Sequence, residues 1–496
     1  MQILFWSDIA LAQFGVAKYL QNEKNFKLYI IHDVNHFEKK IFQEQKIVKF
    51  EDQWFFWDHV SIKNKIIDYK YLRDFEKKYK INIWQIAYSD PLFSKRNQYH
   101  KFSHDEILSI LEQECKFFEN VLEKVNPKYL IIRFTDWHRN NLLAELCKAK
   151  KIRVLMLNPT LLGYRGIISE KHTKLENEGI NGIDSFTNRT LEEIHEDSKK
   201  FDRLKQSKQV VAGGGKFSKW KKMSLTLSWF FKPLDQNDMN RYDYYGSKKL
   251  TVITKRLWNY FLLKNRMKFL NKNSLKTLDD EKIIYFPLQT EPERSITTDA
   301  PFFTNQLEVI TNISKSIPPG YTLYVKEHWS QIFRNWRPVS IYKKILELPN
   351  VKLIHPLVNP HKIIKKCDLA IVISSTTGLE AAFNNKPSII FAETNYSQLS
   401  SVYRIKNIEE LPQTIRLALE KKINTDDLNK FLDYMEKNSF DFDENELTNK
   451  GLEKFEHNGF AKNKKISVKD LESFLNENEK ILKKISIEYL KKIDLN

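Results

Sequence analysis

Apolar runs of four to six residues alternate with stretches of helical periodicity along much of this chain, most cleanly between Val351 and Phe391. There VKLIH predicts a strand, PHKIIKK a short helix, LAIVIS a buried strand, Ser-Ser-Thr-Thr-Gly a turn, LEAAFNN a helix and SIIF another strand. Short apolar runs separated by helical patterns are the mark of βαβ units on a parallel sheet. Upstream, IIYFPL from Ile283, the helical PFFTNQLEVITNISKSI and the strand YTLYVKEHW extend the series. A Rossmann-like domain of five strands and four helical segments is therefore expected over residues 281–405.

The same alternation opens the chain. ILFWS at 3–7, a helical LAQFGVAKYL and the strand KLYIIHD at 27–33 begin a first α/β domain, expected over 1–170. Residues 36–100 mix lysines with aromatics and have no single period, so their elements cannot be ordered. In the helix from Asp105 to Val125, Leu108, Leu111, Cys115, Phe118 and Leu122 recur at three- and four-residue spacing as a core face, and Asn126-Pro127 ends it. YLIIRF, a loop TDWHR, the helix NNLLAELCKAK and the strand RVLMLN make a further βαβ unit. Its loop places Thr135, Asp136, His138 and Arg139 beyond a strand end, where α/β sheets meet their ligands, although Asp136 also suits a helix cap. Tyr164-Arg165-Gly166 is a weaker candidate for the same surface.

Between 171 and 280 the pattern changes to a helical, basic and aromatic insertion, and 406–496 reads as a charged helical tail packing back on the first domain. Neither Arg203–Leu234 nor the stretch between Asp243 and Asp279 contains an acidic residue, and both carry Trp, Phe and Leu among lysines. That composition fits an anionic bilayer surface or an interdomain helix pair with inward aromatics, with nucleic acid a third reading. The formal charge of +18 is explained mainly by lysines spread over solvated helices. Cys115, Cys147 and Cys367 lie far apart, so neither a disulfide framework nor a CxxC metal site is expected. The N-terminus lacks a basic n-region and no apolar run reaches membrane-spanning length, which leads to the expectation of a cytoplasmic protein, peripheral at most to the membrane.

Topology brings three loops of the second domain to one crevice: Gln289-Thr290-Glu291-Pro292-Glu293, Lys326-Glu327-His328, and Ser374-Ser375-Thr376-Thr377-Gly378, with Glu380 a turn later. Hydroxyls entering a helix, a lysine and carboxylates together suit the phosphate and ribose of a nucleotide. No GxxxxGK[ST] and no strand-borne GxGxxG is present, which excludes a P-loop kinase and a dinucleotide-dependent redox enzyme. Taken singly, each of these residues has a structural reading as a cap, a solvated acid or a core histidine.

The stretches IIYFPLQTEPE, LYVKEH and VKLIHPLVNPHKIIKKCDLAIVISSTTGLEAAFNNKPSIIF resemble the capsule polysaccharide biosynthesis proteins, the group containing Kdo transferases of capsule assembly. DWHRNNLLAELCKAKKIRVLMLNPT is similar, less specifically, to the first domain of related surface-polysaccharide proteins. The resemblance implies a GT-B architecture, two Rossmann-like domains facing a cleft, and a glycosyltransferase using a nucleotide sugar such as CMP-Kdo on a glycan or lipid-linked acceptor. In CMP-sugar transferases of this architecture a His-Pro pair and a Ser/Thr pair contact the nucleotide. The matching positions here are His328 and either Ser374-Ser375 or Thr376-Thr377, but Trp329 follows His328, and His355-Pro356 supplies a separate His-Pro. The resemblance thus nominates Gln289, Glu293, Lys326, Glu327, His355, Ser374, Ser375, Thr376, Thr377, Gly378 and Glu380 for the donor. His328 or Lys326 would stabilise the leaving group, and Asp136 would serve as the acceptor-side base, with Glu291 or Glu293 the alternative. No DxD-like pair stands at a convincing site, so neither an obligatory metal nor another cofactor is expected. Trp329 also keeps open a non-catalytic assembly or export partner built on the same scaffold.

Overall fold

The computed structural model of the chain describes residues 1–494 except 8–10, 24, 64–65, 91, 94–98, 134, 161, 200–229, 232–239, 280, 292, 333–336, 421–422 and 457–466. Two sheets organise it. The first contains β1 (Gln2–Ser7), β2 (Lys27–His32), β3 (Asp52–Phe55), β4 (Tyr129–Ile132), β5 (Arg153–Pro159) and β6 (Arg165–Ser169). The second contains β7 (Ile283–Pro287), β8 (Thr322–Lys326), β9 (Val351–Ile354), β10 (Leu369–Val372), β11 (Ser388–Ile390) and β12 (Val402–Arg404), and β13 (Phe440–Asp441) returns to the first sheet.

The second sheet runs β12-β11-β10-β7-β8-β9 with every pairing parallel. This is the doubly wound order, whose direction reverses between β7 and β10, and ligands bind beyond the strand ends at that switch. The chain thus adds a sixth strand, Val402–Arg404, to the five read from the sequence. It is short and only partly buried, so it carries little apolar signal. The first sheet runs β13-β6-β5-β4-β1-β2-β3, parallel from β3 to β5 and antiparallel at β6 and β13. Alternate residues of β1 serve opposite faces: Leu4 and Trp6 enter one core, Ile3 and Phe5 the other.

The 36–100 region resolves into the helix His36–Glu44, β3, and the helices Tyr69–Tyr79 and Ile83–Ser89. The helix His104–Val125 starts on a Ser103/Glu106 capping box, and the five core positions read from its spacing are all buried. All three cysteines are buried and unbridged. Among the described residues no helix is long and apolar enough to cross a membrane.

Residues 171–280 distribute themselves over both domains. Ile180 and Ile194 join Val372, Leu379, Tyr396 and Phe431 in one cluster on the second domain. Tyr242 enters the core of the first domain. The helix Lys249–Asn273 ends with Leu270 in the core of the second. The basic stretch Arg203–Leu234, with its three glycines, lies outside the described residues apart from Phe230 and Phe231.

The tail divides between the two domains. The helix Leu411–Glu420 packs in the second domain, whereas Val468–Glu477 and Glu479–Asp494 fill one face of the first. At Gly15 an added Cβ would lie 2.7 Å from Leu482 Cδ2, a measure of how tightly the last helix seats. Arg165 proves to be part of this crossing rather than of a cleft: it donates to Ser439 Oγ at 2.7 Å and to the Ser439 carbonyl at 2.8 Å.

Candidate functional site

A cavity of about 730 Å³ opens beyond the carboxyl ends of the second sheet. Its walls are Asn158, Pro159, Leu162, His172 and Thr173 from the first domain and the segment after it, and Gln289, Thr290, Glu293, Arg294, Lys326, His328, Ser374 to Thr377, Glu380 and Asn395 from the second. The three loops nominated from the sequence therefore converge.

The Ser/Thr turn makes most of its hydrogen bonds to itself and its neighbours. Ser374 Oγ donates to the Ser295 carbonyl at 2.6 Å, Ser375 Oγ to Thr377 Oγ1 at 3.2 Å, and Thr376 Oγ1 to Glu380 Oε1 at 2.9 Å. Ser375 also takes the Thr377 N–H on its Oγ and the Gly378 N–H on its carbonyl. With the protons of Ser374, Ser375 and Thr376 committed, these hydroxyls can meet a ligand only as acceptors. Gly378 lies behind the wall, where an added Cβ would be 2.7 Å from Tyr396 Oη, and that hydroxyl donates to the Ser375 carbonyl. Glycine at this position lets Tyr396 fasten the turn.

Three buried amide oxygens on the cavity wall have no hydrogen-bond partner among the described residues: Gln289 Oε1, Asn158 Oδ1 and Asn395 Oδ1. Leaving a buried acceptor unmade costs about 1–3 kcal/mol each. A ligand bearing several O–H or N–H groups would satisfy them.

His328 accepts the Ser330 N–H on Nδ1 at 3.3 Å, and the same nitrogen meets Ser330 Oγ at 2.8 Å and Thr290 Oγ1 at 3.0 Å. An accepting Nδ1 places the neutral ring's proton on Nε2. Arg294 brings a guanidinium to the wall, its Nε 3.6 Å from Asp136 Oδ1. Asp136 itself is half exposed and lies outside the wall, joining the two domains through that pair.

Several nominated residues serve the framework instead. The Glu327 carboxylate is buried and holds Arg337, the Tyr342 hydroxyl and its neighbour's N–H. Glu291 lies off the cavity, 3.4 Å from Arg337 Nη2, and accepts from Gln306 Nε2 at 2.7 Å. Lys326 is on the wall, but its Nζ donates to the carbonyls of Glu327 and Pro356 at 3.0 and 3.1 Å. His355 is drawn the other way, its Nε2 2.9 Å from Asn271 Oδ1, away from the cavity. The physical reason is shared: each of these polar groups is largely buried at a strand end and finds its hydrogen-bond or ion-pair partners in the surrounding framework.

His172 and Asp299 were not legible beforehand. His172 Nε2 lies 2.8 Å from Asp299 Oδ1, both on the cavity wall, one from the segment after β6 and the other from the second domain. A lone histidine in a charged stretch 127 positions from its acid gives no sequence signal. Among the described residues no group of three or more His, Cys, Asp or Glu side chains is placed to hold a metal ion.

Residues 234–400, about a third of the chain, match the family described as capsule polysaccharide biosynthesis protein. No curated protein matches. Among solved structures, the chain is similar to the β-Kdo 2,7 transferase of Thermosulfurimonas dismutans KpsC at 14% identity, over 64% of this chain and 79% of that one, with a TM-score of 0.30. The β-Kdo 2,4 transferase of the same KpsC shares 16% identity over 34% of this chain and 54% of that one, with a TM-score of 0.24. UDP-GlcNAc 2-epimerase from Methanocaldococcus jannaschii shares 14% over 88% of this chain and all of its own, with a TM-score of 0.25. The family match spans the second-domain loops that line the cavity at the switch point.

Proposed function

We propose that the chain is a cytoplasmic, nucleotide-sugar-dependent glycosyltransferase of capsule or surface polysaccharide synthesis, with a CMP-activated acidic sugar such as CMP-Kdo as donor and a glycan or lipid-linked acceptor. The observation that carries the reading is the set of three unpartnered amide oxygens around one cavity at the switch point of a doubly wound sheet. A nucleotide sugar offers ribose and sugar hydroxyls and an exocyclic amine to such acceptors, and a phosphate to Arg294 and His328.

The residues then divide by role. Gln289, Asn395 and the Ser374–Thr377 turn hold the donor. The Nε2–H of His328 and the guanidinium of Arg294 take up charge on the departing phosphate oxygen as the bond between it and the anomeric carbon, C2 of such a sugar, breaks. His172, with its Nε2–H given to Asp299, keeps a lone pair on Nδ1 for the acceptor hydroxyl's proton as the new bond from that oxygen to the anomeric C2 forms. Asp136, held by Arg294, positions that cation instead of acting as the base.

Titration calorimetry with CMP, CMP-Kdo, CMP-sialic acid and UDP-GlcNAc tests the donor half. Saturable binding of a CMP sugar is expected, and no binding of any of the four would overturn the reading. His328→Ala distinguishes an enzyme, which loses most of its turnover, from an assembly partner, which retains partner binding.

A further inference from the structure

The helix Lys249–Asn273 is 25 residues long, which at 1.5 Å per residue spans roughly 37 Å. It is fixed at both ends. Just before it, Tyr242 is buried in the first domain, and near its end Arg266 and Leu270 are buried in the second. Arg266 donates to the Gln331 carbonyl, and the Leu275 N–H donates to the Leu353 carbonyl at 2.8 Å. The helix is therefore a strut joined to both domains, with Val252, Arg266 and Leu270 on its inner side.

Its outer side is apolar and uncovered. Leu250, Leu257, Trp258, Tyr260 and Phe261 are between 52% and 72% exposed. Positions 250, 257, 258 and 261 fall at i, i+7, i+8 and i+11 and so share one face. Phe230 and Phe231 add to it, the Phe230 carbonyl accepting from Lys249 Nζ at 2.6 Å. The helix carries seven Lys or Arg residues and no acid. Of these, Lys255, Arg256 and Lys264 lie exposed beside the apolar stripe.

We infer that this face docks on an anionic phospholipid bilayer, lying in the interface with the Leu, Trp and Phe side chains among the upper acyl chains and the flanking cations at the headgroups. A cationic surface without acids calls for an anionic partner, and the apolar stripe calls for one with a hydrocarbon layer; a bilayer supplies both. The interdomain packing considered from the sequence is met only by the inner side, where Phe269 packs against the second-domain core, because Trp258, Tyr260 and Phe261 are exposed. Nucleic acid fits less well, since Leu250 and Leu257 have no plane on which a base can stack. The inference stands whichever donor fills the cleft.

Flotation of the full chain with vesicles of phosphatidylcholine alone, and of phosphatidylcholine mixed with phosphatidylglycerol, tests it at low and high salt. Binding to the mixed vesicles that weakens with salt is expected. Lys255→Gln with Arg256→Gln should weaken it about fivefold per charge removed. Trp258→Ala with Phe261→Ala should weaken it about tenfold or more. Phe302→Ala, at another exposed aromatic, should match wild type, and circular dichroism establishes that each variant is folded. Equal binding to both vesicle types, no flotation with either, or equal losses for Phe302→Ala and the Trp258/Phe261 variant would each overturn the inference. So would salt-sensitive binding of an RNA oligonucleotide or of an acidic protein that competes the vesicles away and is unchanged by Trp258→Ala with Phe261→Ala.

Discussion

His138 Nδ1 lies 2.7 Å from Asp90 Oδ2, both side chains wholly buried, and the ring's Nε2 lies 3.0 Å from Glu114 Oε1. Tyr242, from the insertion, donates to the same Glu114 oxygen at 2.9 Å. Burial alone would discharge this imidazole, but the Glu114 charge and the bonds to Asp90 and Glu114 overcome it and raise its pKa to about 9. The residue read as a possible ligand-facing group is thus the charged centre of a buried knot tying the insertion to the first domain.

A pH dependence follows. A histidine whose folded pKa exceeds its unfolded value of about 6.5 gives stability that is complete below that value and lost as pH rises through about 9. The contribution is on the order of 3 kcal/mol. Thermal unfolding followed by tryptophan fluorescence should show the melting temperature falling between neutral pH and the folded pKa, and His138→Gln should abolish that slope while destabilising the protein by about 3–5 kcal/mol. A wild-type melting temperature flat over that interval would contradict the assignment.

The His172–Asp299 pair predicts a separation of binding from turnover. His172→Ala should lower kcat by about 10²–10⁴ with donor affinity near wild type. Asp299→Asn should retain more activity and alter the basic or acidic limb of the pH–rate profile. Equal losses of donor affinity and rate in His172→Ala would place the histidine in the donor site instead.

Gly378→Ala should strain the Ser/Thr turn, since the new methyl meets the Tyr396 hydroxyl, at a cost of about 1–3 kcal/mol. Calorimetry should show weakened donor binding in a folded protein. Adding Tyr396→Phe removes the nearest atom and should recover part of the loss; no recovery would mean that the clash is not the cause.

Arg337→Met strands Glu327 in the interior and releases Glu291, so a loss of about 3–5 kcal/mol is expected in thermal or urea unfolding. Arg337→Met with Glu327→Gln should be less damaging than Arg337→Met alone, because the unpaired charge is gone. If the double variant is the worse of the two, the pair is not what Arg337 stabilises.

The second domain was legible in the sequence because strands such as LAIV and IIYF are buried on both faces and show as unbroken apolar runs. The convergence of its loops followed from topology alone. What could not be read was side-chain direction: Glu327 and His355 occupy promising positions yet turn into the framework. The segment 36–100 resisted because its amphipathic helix Tyr69–Tyr79 buries Leu72, Phe75 and Tyr79 amid lysines, so composition masks its period. The orphaned amides and the His172–Asp299 pair are properties of three-dimensional placement, with no local pattern to announce them.

The seating of the last two helices on the first sheet has a consequence for how the protein is made. One face of that domain lacks its cover until Leu471, Phe474, Leu482, Ile485 and Tyr489 arrive, the last hundreds of residues after β1 has left the ribosome. The domain of β1 is therefore finished last, while the second domain, whose six strands lie between Ile283 and Arg404, has its core residues by the time Met435 has been made. During synthesis the second domain is ready before its counterpart, and the exposed apolar face of the waiting half is the surface a chaperone would have to guard.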